Sequence, residues 1–147
     1  MDPSGALFMQ DNRADASAPR AADGVRIVVV DDHVDTAMMM SALLRLAGHE
    51  VEAAHDGQAA VLAVERFKPD VVLLDLGLPD MDGCEIARRL RQTPAGKDVL
   101  LIALTGYTQA EHVAATRQAG FDHHLTKPVD LSSVRRLIAC APRSTRA

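Results

Sequence analysis

Between residues 25 and 140, short apolar runs alternate with stretches in which apolar residues recur at three- and four-residue spacing. Ile27–Val30, Val51–Ala54, Val71–Leu74, Val99–Leu104 and Phe121–Leu125 read as five strands. Asp35–Ala47, Gln58–Phe67, Cys84–Arg91, Gln109–Ala119 and Leu131–Cys140 read as helices, with Val113/Thr116/Ala119 and Leu131/Val134/Ile138 on their buried faces. The runs Ile27-Val28-Val29-Val30 and Val71-Val72-Leu73-Leu74 show no polar alternation. Parallel strands have that pattern when helices cover both faces of the sheet. The expected fold is therefore α/β, a doubly wound parallel sheet in an αβα sandwich.

Punctuation agrees with these boundaries. Gly48 and Gly120 stand just past helix ends, where a left-handed residue closes the last turn, and Asp56 before Gly57 is placed to cap a helix. Pro69 marks the start of the third strand. Met1–Gly24, rich in Ala, Asp, Ser, Pro and Gly with no sustained period, reads as a disordered leader, and residues 141–147 as a short tail. One domain over 25–140 is expected, a size that buries roughly 70% of its unfolded surface without a disulfide.

Open parallel sheets collect their polar chemistry beyond the carboxyl ends of the strands, where strand order reverses. The first strand ends in Asp31-Asp32, the third in Asp75, the fourth in Thr105 and the fifth in Lys127-Pro128. Carboxylates brought within ~4–5 Å repel by several kcal/mol per pair at an effective dielectric near 20, and a divalent cation relieves the conflict. Oxygen ligands, with no His or Cys expected at that edge, favour Mg²⁺ over zinc. A lysine and a hydroxyl beside such a cation suit a phosphoryl group, so phosphoryl transfer to an aspartate is the chemistry suggested.

Val30-Asp31-Asp32, Leu73-Leu74-Asp75-Leu76-Gly77-Leu78-Pro79-Asp80-Met81-Asp82-Gly83, Ala103-Leu104-Thr105-Gly106 and Leu125-Thr126-Lys127-Pro128, in that order, resemble the receiver domain of two-component response regulators. The resemblance covers about residues 25 to 140. It implies a flavodoxin-like sheet of order 2-1-3-4-5 and a signalling module that catalyses only its own phosphorylation and dephosphorylation. It further implies Asp75 as phosphoacceptor, Asp32, Asp75 and the Gly77 backbone carbonyl as Mg²⁺ ligands, and Asp31 acting through a metal-bound water. Lys127 and Thr105 would contact the phosphoryl group, and the Lys127–Pro128 bond would be cis. The implied phosphoryl donor is a sensor histidine kinase or histidine phosphotransfer protein, and the implied effector another protein.

Two departures from the family pattern stand out. The position three before Lys127, where the family commonly has Tyr or Phe, is His124; imidazoles as a class change charge near neutrality, so the expected switch is weaker or pH-sensitive. Gly77 and Tyr107, two residues after Asp75 and Thr105, occupy positions that tune hydrolysis; neither is an acid or amide, so slow self-dephosphorylation is expected. The segment Ala119–Asp130 resembles hybrid-kinase receivers, and no output domain is expected after Cys140, which leaves a freestanding regulator, a relay or sink, or an excised receiver open.

Several features suggest other chemistry and were weighed against it. Asp80-Met81-Asp82-Gly83 lacks the remaining ligands of a calcium loop and reads as a turn and helix cap. The six histidines are scattered, and Cys84 and Cys140 lack metal-ligand spacing. Met38-Met39-Met40 cannot all face the core, so an exposed methionine is expected on the first helix, at an edge suited to kinase docking. An aspartate-nucleophile phosphatase would carry a DxD pattern after the first strand and a cap insertion. A nucleotide- or flavin-binding module would need a hydroxyl- or glycine-rich loop there. With a net charge of −4 the surface is not generally suited to nucleic acid, and no run approaches the ~20 apolar residues of a membrane span. The reading is of a soluble, cytoplasmic protein without direct nucleic-acid contact.

Overall fold

The computed structural model describes residues 24–106 and 110–141. Five strands and five helices alternate: β1 Arg26–Val30, α1 Val34–Leu46, β2 Glu50–Ala54, α2 Gly57–Phe67, β3 Val71–Asp75, α3 Gly83–Arg91, β4 Leu100–Thr105, α4 Ala110–Ala119, β5 His123–Thr126 and α5 Leu131–Ile138. All strand pairs are parallel, in the order β2-β1-β3-β4-β5. Among the described residues no helix is long and apolar enough to cross a membrane.

The period of two along each strand divides the core. Val28, Val30, Val72, Leu74, Leu101 and Ala103 pack with α2, α3 and the end of α4. Their neighbours Ile27, Val29, Val71, Leu73, Leu100, Ile102 and Leu104 pack with Ala37 and Leu44 of α1 and Val134 and Ile138 of α5. Both faces of β1, β3 and β4 are thus covered, which is why these strands are apolar apart from Arg26, Asp75 and Thr105 at their ends. Each fully buried Leu or Ile contributes about 1.5–3 kcal/mol relative to exposure.

Local chemistry sets the element ends. The Asp56 carboxylate accepts from the Ala59 N–H at 2.8 Å, capping α2, and Asp130 accepts from the Ser133 N–H at 2.8 Å, capping α5. The Ser132 hydroxyl, then the Ser133 N–H, hold the Asp130 carboxyl below the usual aspartate value. Gly48 and Gly120 have φ of 101° and 113°, and Lys68 closes α2 at φ 52°. Gly120 has a second constraint, since a Cβ there would meet Arg91 Cγ at 3.0 Å. Lys127–Pro128 is cis.

Several boundaries differ from the sequence reading. β5 begins at His123, because Phe121 closes the turn after α4 through its N–H to the Thr116 carbonyl and buries its ring in the core. β4 extends through Thr105. α5 ends at Ile138, so Cys140 lies in the following turn and is exposed. Burial, with Asp82 second, pushes the half-buried Cys84 thiol up, which favours the unreactive protonated form. The leader residues 1–23, Tyr107 and residues 142–147 lie outside the described residues.

Candidate functional site

Strand register brings the acids together. Val30 pairs with Leu74, so the next residues, Asp31 and Asp75, leave adjacent strands side by side at the point where the chain order reverses. Asp75 pairs with Leu104 and Thr105 with Thr126, which sets Thr105 and Lys127 along the same edge. The Lys127 N–H donates to the Thr105 carbonyl at 2.7 Å, tying the end of β5 to the end of β4. Asp31, Asp75 and Thr105 are 2%, 5% and 4% exposed, unusual for two acids at a strand end.

One ligand atom each from Asp31, Asp32, His33 and Asp75 lies within 4.8 Å of the others. Lys127 Nζ is 3.1 Å from Asp75 Oδ2 and 3.9 Å from Asp31 Oδ2. The Gly77 N–H donates to Asp75 Oδ1 at 3.0 Å, so both oxygens of that carboxylate are held. Asp32 is treated differently. Its Oδ1 is buried without a hydrogen bond, and no lysine or arginine pairs with it among the described residues.

The donor set fits a hard cation. Two oxygens on opposite sides of a Mg²⁺ stand at most about 4.2 Å apart, given bonds of about 2.1 Å. The carboxylates would therefore close in by only a few tenths of an ångström, and a bound ion would give the orphaned Asp32 oxygen a partner. Three carboxylates with one lysine leave net negative charge in a nearly buried site, which a divalent ion balances.

The remaining expected positions are distributed as follows. Gly77 is exposed in the turn after β3. His124 is half-buried on β5, paired with Ala103 of β4, the strand that separates it from Asp75 on β3. Met38 and Met39 are 60% and 67% exposed on α1, whose exposed first residue Val34 follows Asp32-His33, while the exposed Leu43 and Leu46 lie toward the far end of the helix.

Two groups were not anticipated. Histidine was expected to be absent from the acidic edge, yet His33 Nδ1 lies 3.3 Å from Asp31 Oδ1 and 3.4 Å from Asp32 Oδ1, and His55 Nδ1 is 3.1 Å from the Asp31 carbonyl oxygen. The signal for His33 was its place directly after Asp31-Asp32. The reason it turns inward is backbone geometry, since its own N–H donates to Asp31 Oδ1 at 2.9 Å at the start of α1. The other group is Asp80. Its carboxylate accepts from the Gly57 N–H at 2.8 Å and the Gln58 N–H at 3.3 Å, so the β3–α3 loop caps α2 as well as leading into α3. The Gly57 N–H holds the Asp80 carboxyl below the usual aspartate value, burial opposing and the Gln58 N–H adding to it. The loop is packed as closely as this implies: a Cβ on Gly57 would meet Met81 Cβ at 2.9 Å, and one on Gly83 would meet Leu76 Cα at 2.9 Å. Asp82 caps α3 through the Cys84 N–H, as a turn and cap reading of this segment requires.

Comparisons with known proteins point in one direction. The pattern that defines the response regulator receiver domain matches residues 27–139. The chain is 42% identical over 117 residues to the probable transcriptional regulatory protein TcrX of Mycobacterium tuberculosis, a match covering 78% of this chain and 49% of that protein. It thus spans about half of TcrX's length. The receiver domain of a sensor histidine kinase of Pseudomonas aeruginosa, solved with a magnesium ion coordinated in its active-site cleft, superposes with a TM-score of 0.72 at 32% identity over 80% of this chain and 96% of that one. The chemotaxis response regulator CheY4 of Vibrio cholerae also superposes with a TM-score of 0.72, at 29% identity over 76% and 97%.

Proposed function

This chain belongs to the response regulator receiver domain family, and from that premise we propose that its receiver unit, residues 25–140, accepts a phosphoryl group on Asp75. The observation that carries the proposal is the convergence of Asp31, Asp32 and Asp75 with Lys127 at the carboxyl edge of the sheet.

Asp31, Asp32, Asp75 and the Gly77 backbone carbonyl would hold Mg²⁺ at this edge. When bound, the ion neutralises the charge that gathers on the transferring phosphoryl oxygens. Asp75 is the nucleophile: one carboxylate oxygen forms the new bond to phosphorus, and the bond from phosphorus to the donor's imidazole nitrogen breaks, its electron pair leaving with that nitrogen. No external base is needed, because a carboxylate nucleophile carries no proton to give up. The Gly77 N–H and Lys127 hold the two oxygens of Asp75 and so orient the attack. After transfer, the Lys127 ammonium has a phosphoryl oxygen to pair with, and the Thr105 hydroxyl donates to another. Lysine suits this role as a compact point charge.

The donor is a sensor histidine kinase or a histidine phosphotransfer protein. It meets the apolar surface of α1, where Val34, Met38 and Met39 adjoin the acidic edge. The product is read by a protein effector, with Thr105 and His124 as the switch residues. Incubation with acetyl phosphate and Mg²⁺, followed by intact mass measurement, is expected to add one phosphoryl group to the wild type and none to Asp75→Asn. An unmodified wild type, or an equally modified Asp75→Asn, would overturn the assignment.

A further inference from the structure

We propose that His33 extends the cation site of this receiver to borderline transition metals, so that zinc competes with magnesium for the same carboxylates. The inference rests on the acidic cluster being a cation site at all, and it concerns which ion that site prefers.

The argument begins with distances. A tetrahedral zinc with bonds of about 2.0–2.1 Å places adjacent ligand atoms about 3.3–3.4 Å apart. His33 Nδ1 stands 3.3 Å from Asp31 Oδ1 and 3.4 Å from Asp32 Oδ1, two edges of that figure without any movement. Lys127 lies against the Oδ2 atoms of Asp31 and Asp75, which leaves Asp31 Oδ1 turned toward His33. Asp32 Oδ1 is buried and accepts no hydrogen bond, so it has no competing partner to lose.

The position of the ring is not explained by helix capping. His33 is the N-cap residue of α1, yet its side chain makes no capping hydrogen bond. Its backbone is extended, at φ −81° and ψ 103°, and its N–H is spent on Asp31 Oδ1. These two constraints aim Nδ1 at the acids. The His33 side chain is 73% exposed, so an ion can arrive from solvent without opening the fold.

Ligand chemistry then sets the preference. Carboxylates alone suit magnesium, which holds its waters and prefers six oxygens. Adding one neutral imidazole to two or three carboxylates gives a mixed nitrogen and oxygen set, for which zinc outranks the harder divalent ions. Magnesium gains little from the ring, because it binds nitrogen weakly. His33 is thus a specificity-determining residue for the ion, separate from the residues that touch the phosphoryl group.

The test is calorimetric titration of the metal-free protein with zinc chloride and with magnesium chloride, on wild type, His33→Ala, His33→Gln and Asp32→Asn. Expected is a loss in zinc affinity on the order of tenfold or more in both His33 variants with magnesium affinity nearly unchanged. Zinc bound here should weaken magnesium binding by the wild type, which distinguishes this site from zinc held by another histidine. Asp32→Asn should weaken both ions. Equal zinc affinity in wild type and both His33 variants, or zinc that leaves magnesium binding unchanged, would overturn the role of His33 while leaving the magnesium site standing. Undiminished magnesium binding by Asp32→Asn would instead overturn the acidic cluster as the cation site. Thermal melts of the metal-free variants, expected to match wild type for the exposed His33, exclude misfolding as the cause.

Discussion

Asp32→Asn is expected to make the metal-free protein more stable while removing its response to magnesium. Asp32 stands within 4.8 Å of carboxylate oxygens of both Asp31 and Asp75. At that separation each pair of unit charges repels by about 3.5 kcal/mol at an effective dielectric of about 20, or about 7 kcal/mol for the two. Lys127 compensates Asp31 and Asp75, at 3.9 and 3.1 Å, but forms no ion pair with Asp32. His33 Nδ1 lies 3.4 Å from Asp32 Oδ1 and attracts it only when protonated. Because the Asp32 side chain is 31% exposed, solvent screens much of the repulsion; the net gain should be about 1–3 kcal/mol. That corresponds to a rise in Tm of roughly 4 °C per kcal/mol for a domain of this size.

The assay is urea unfolding at about pH 8, where an ordinary imidazole is neutral, in chelator and again in millimolar magnesium. Wild type should gain stability on adding magnesium through preferential binding to the folded state, whereas Asp32→Asn should begin higher and gain little. A variant less stable than wild type in chelator would refute the repulsion argument. Equal stabilisation of both proteins by magnesium would refute the place of Asp32 among the ligands.

The remaining predictions concern the frame, acid stability and switching. Arg91 donates to the carbonyl oxygens of Gly96, Lys97, Val99 and Gly120 and to Asp122 Oδ2, so Arg91→Ala should cost about 3 kcal/mol by leaving these acceptors uncompensated; a loss near zero in urea unfolding would mean that water replaces the guanidinium. The Asp80 carboxyl is depressed in the fold, so its contribution to stability is fully present above the ordinary value of 3.8 and is lost as pH falls through the lower folded value. Asp80→Asn should accordingly flatten the acid limb of a plot of unfolding midpoint against pH, and parallel curves for variant and wild type would count against the two helix N–H groups as its cause. His124→Tyr should strengthen the phosphorylation-linked change in partner binding; unchanged binding of the phosphorylated protein would exclude His124 as the switch residue. With Gly77 offering no side chain to orient water, phosphorylated protein should lose its phosphoryl group slowly, and Gly77→Asn should speed the loss in a time course of intact mass.

Much of this molecule was legible before any coordinates. The unbroken apolar runs of β1 and β3 required cover on both faces, and that requirement alone led to a parallel sheet between two helix layers. Asp31, Asp75, Thr105 and Lys127 could be assigned to one edge because each follows a strand, and parallel strands end on the same side. Asp56 and Asp82 were readable as caps, since capping needs only a few consecutive residues. The exposure of Met38 and Met39 followed from helical periodicity, because three consecutive methionines span too wide an arc to be buried together.

What required the folded chain was contact between segments distant in sequence, or the direction of a side chain within one turn. Asp80 looked like part of a local turn, but it caps α2, whose first turn lies 22 and 23 residues earlier. Arg91 was placed only as the end of the third helix, and the fold closes the α3–β4 turn and Gly120 around it. Phe121 looked like the start of a strand, and it is buried instead as the closure of α4. His33 sat in plain view beside two aspartates, but periodicity is silent about where an N-cap ring points. Only the backbone turn that gives its N–H to Asp31 decides that its nitrogen faces the carboxylates. The sequence by itself determined which elements form and which residues follow them. The tertiary structure decided which of those residues meet, because register, loop closure and local backbone angles set ångström-scale distances that no spacing along the chain encodes.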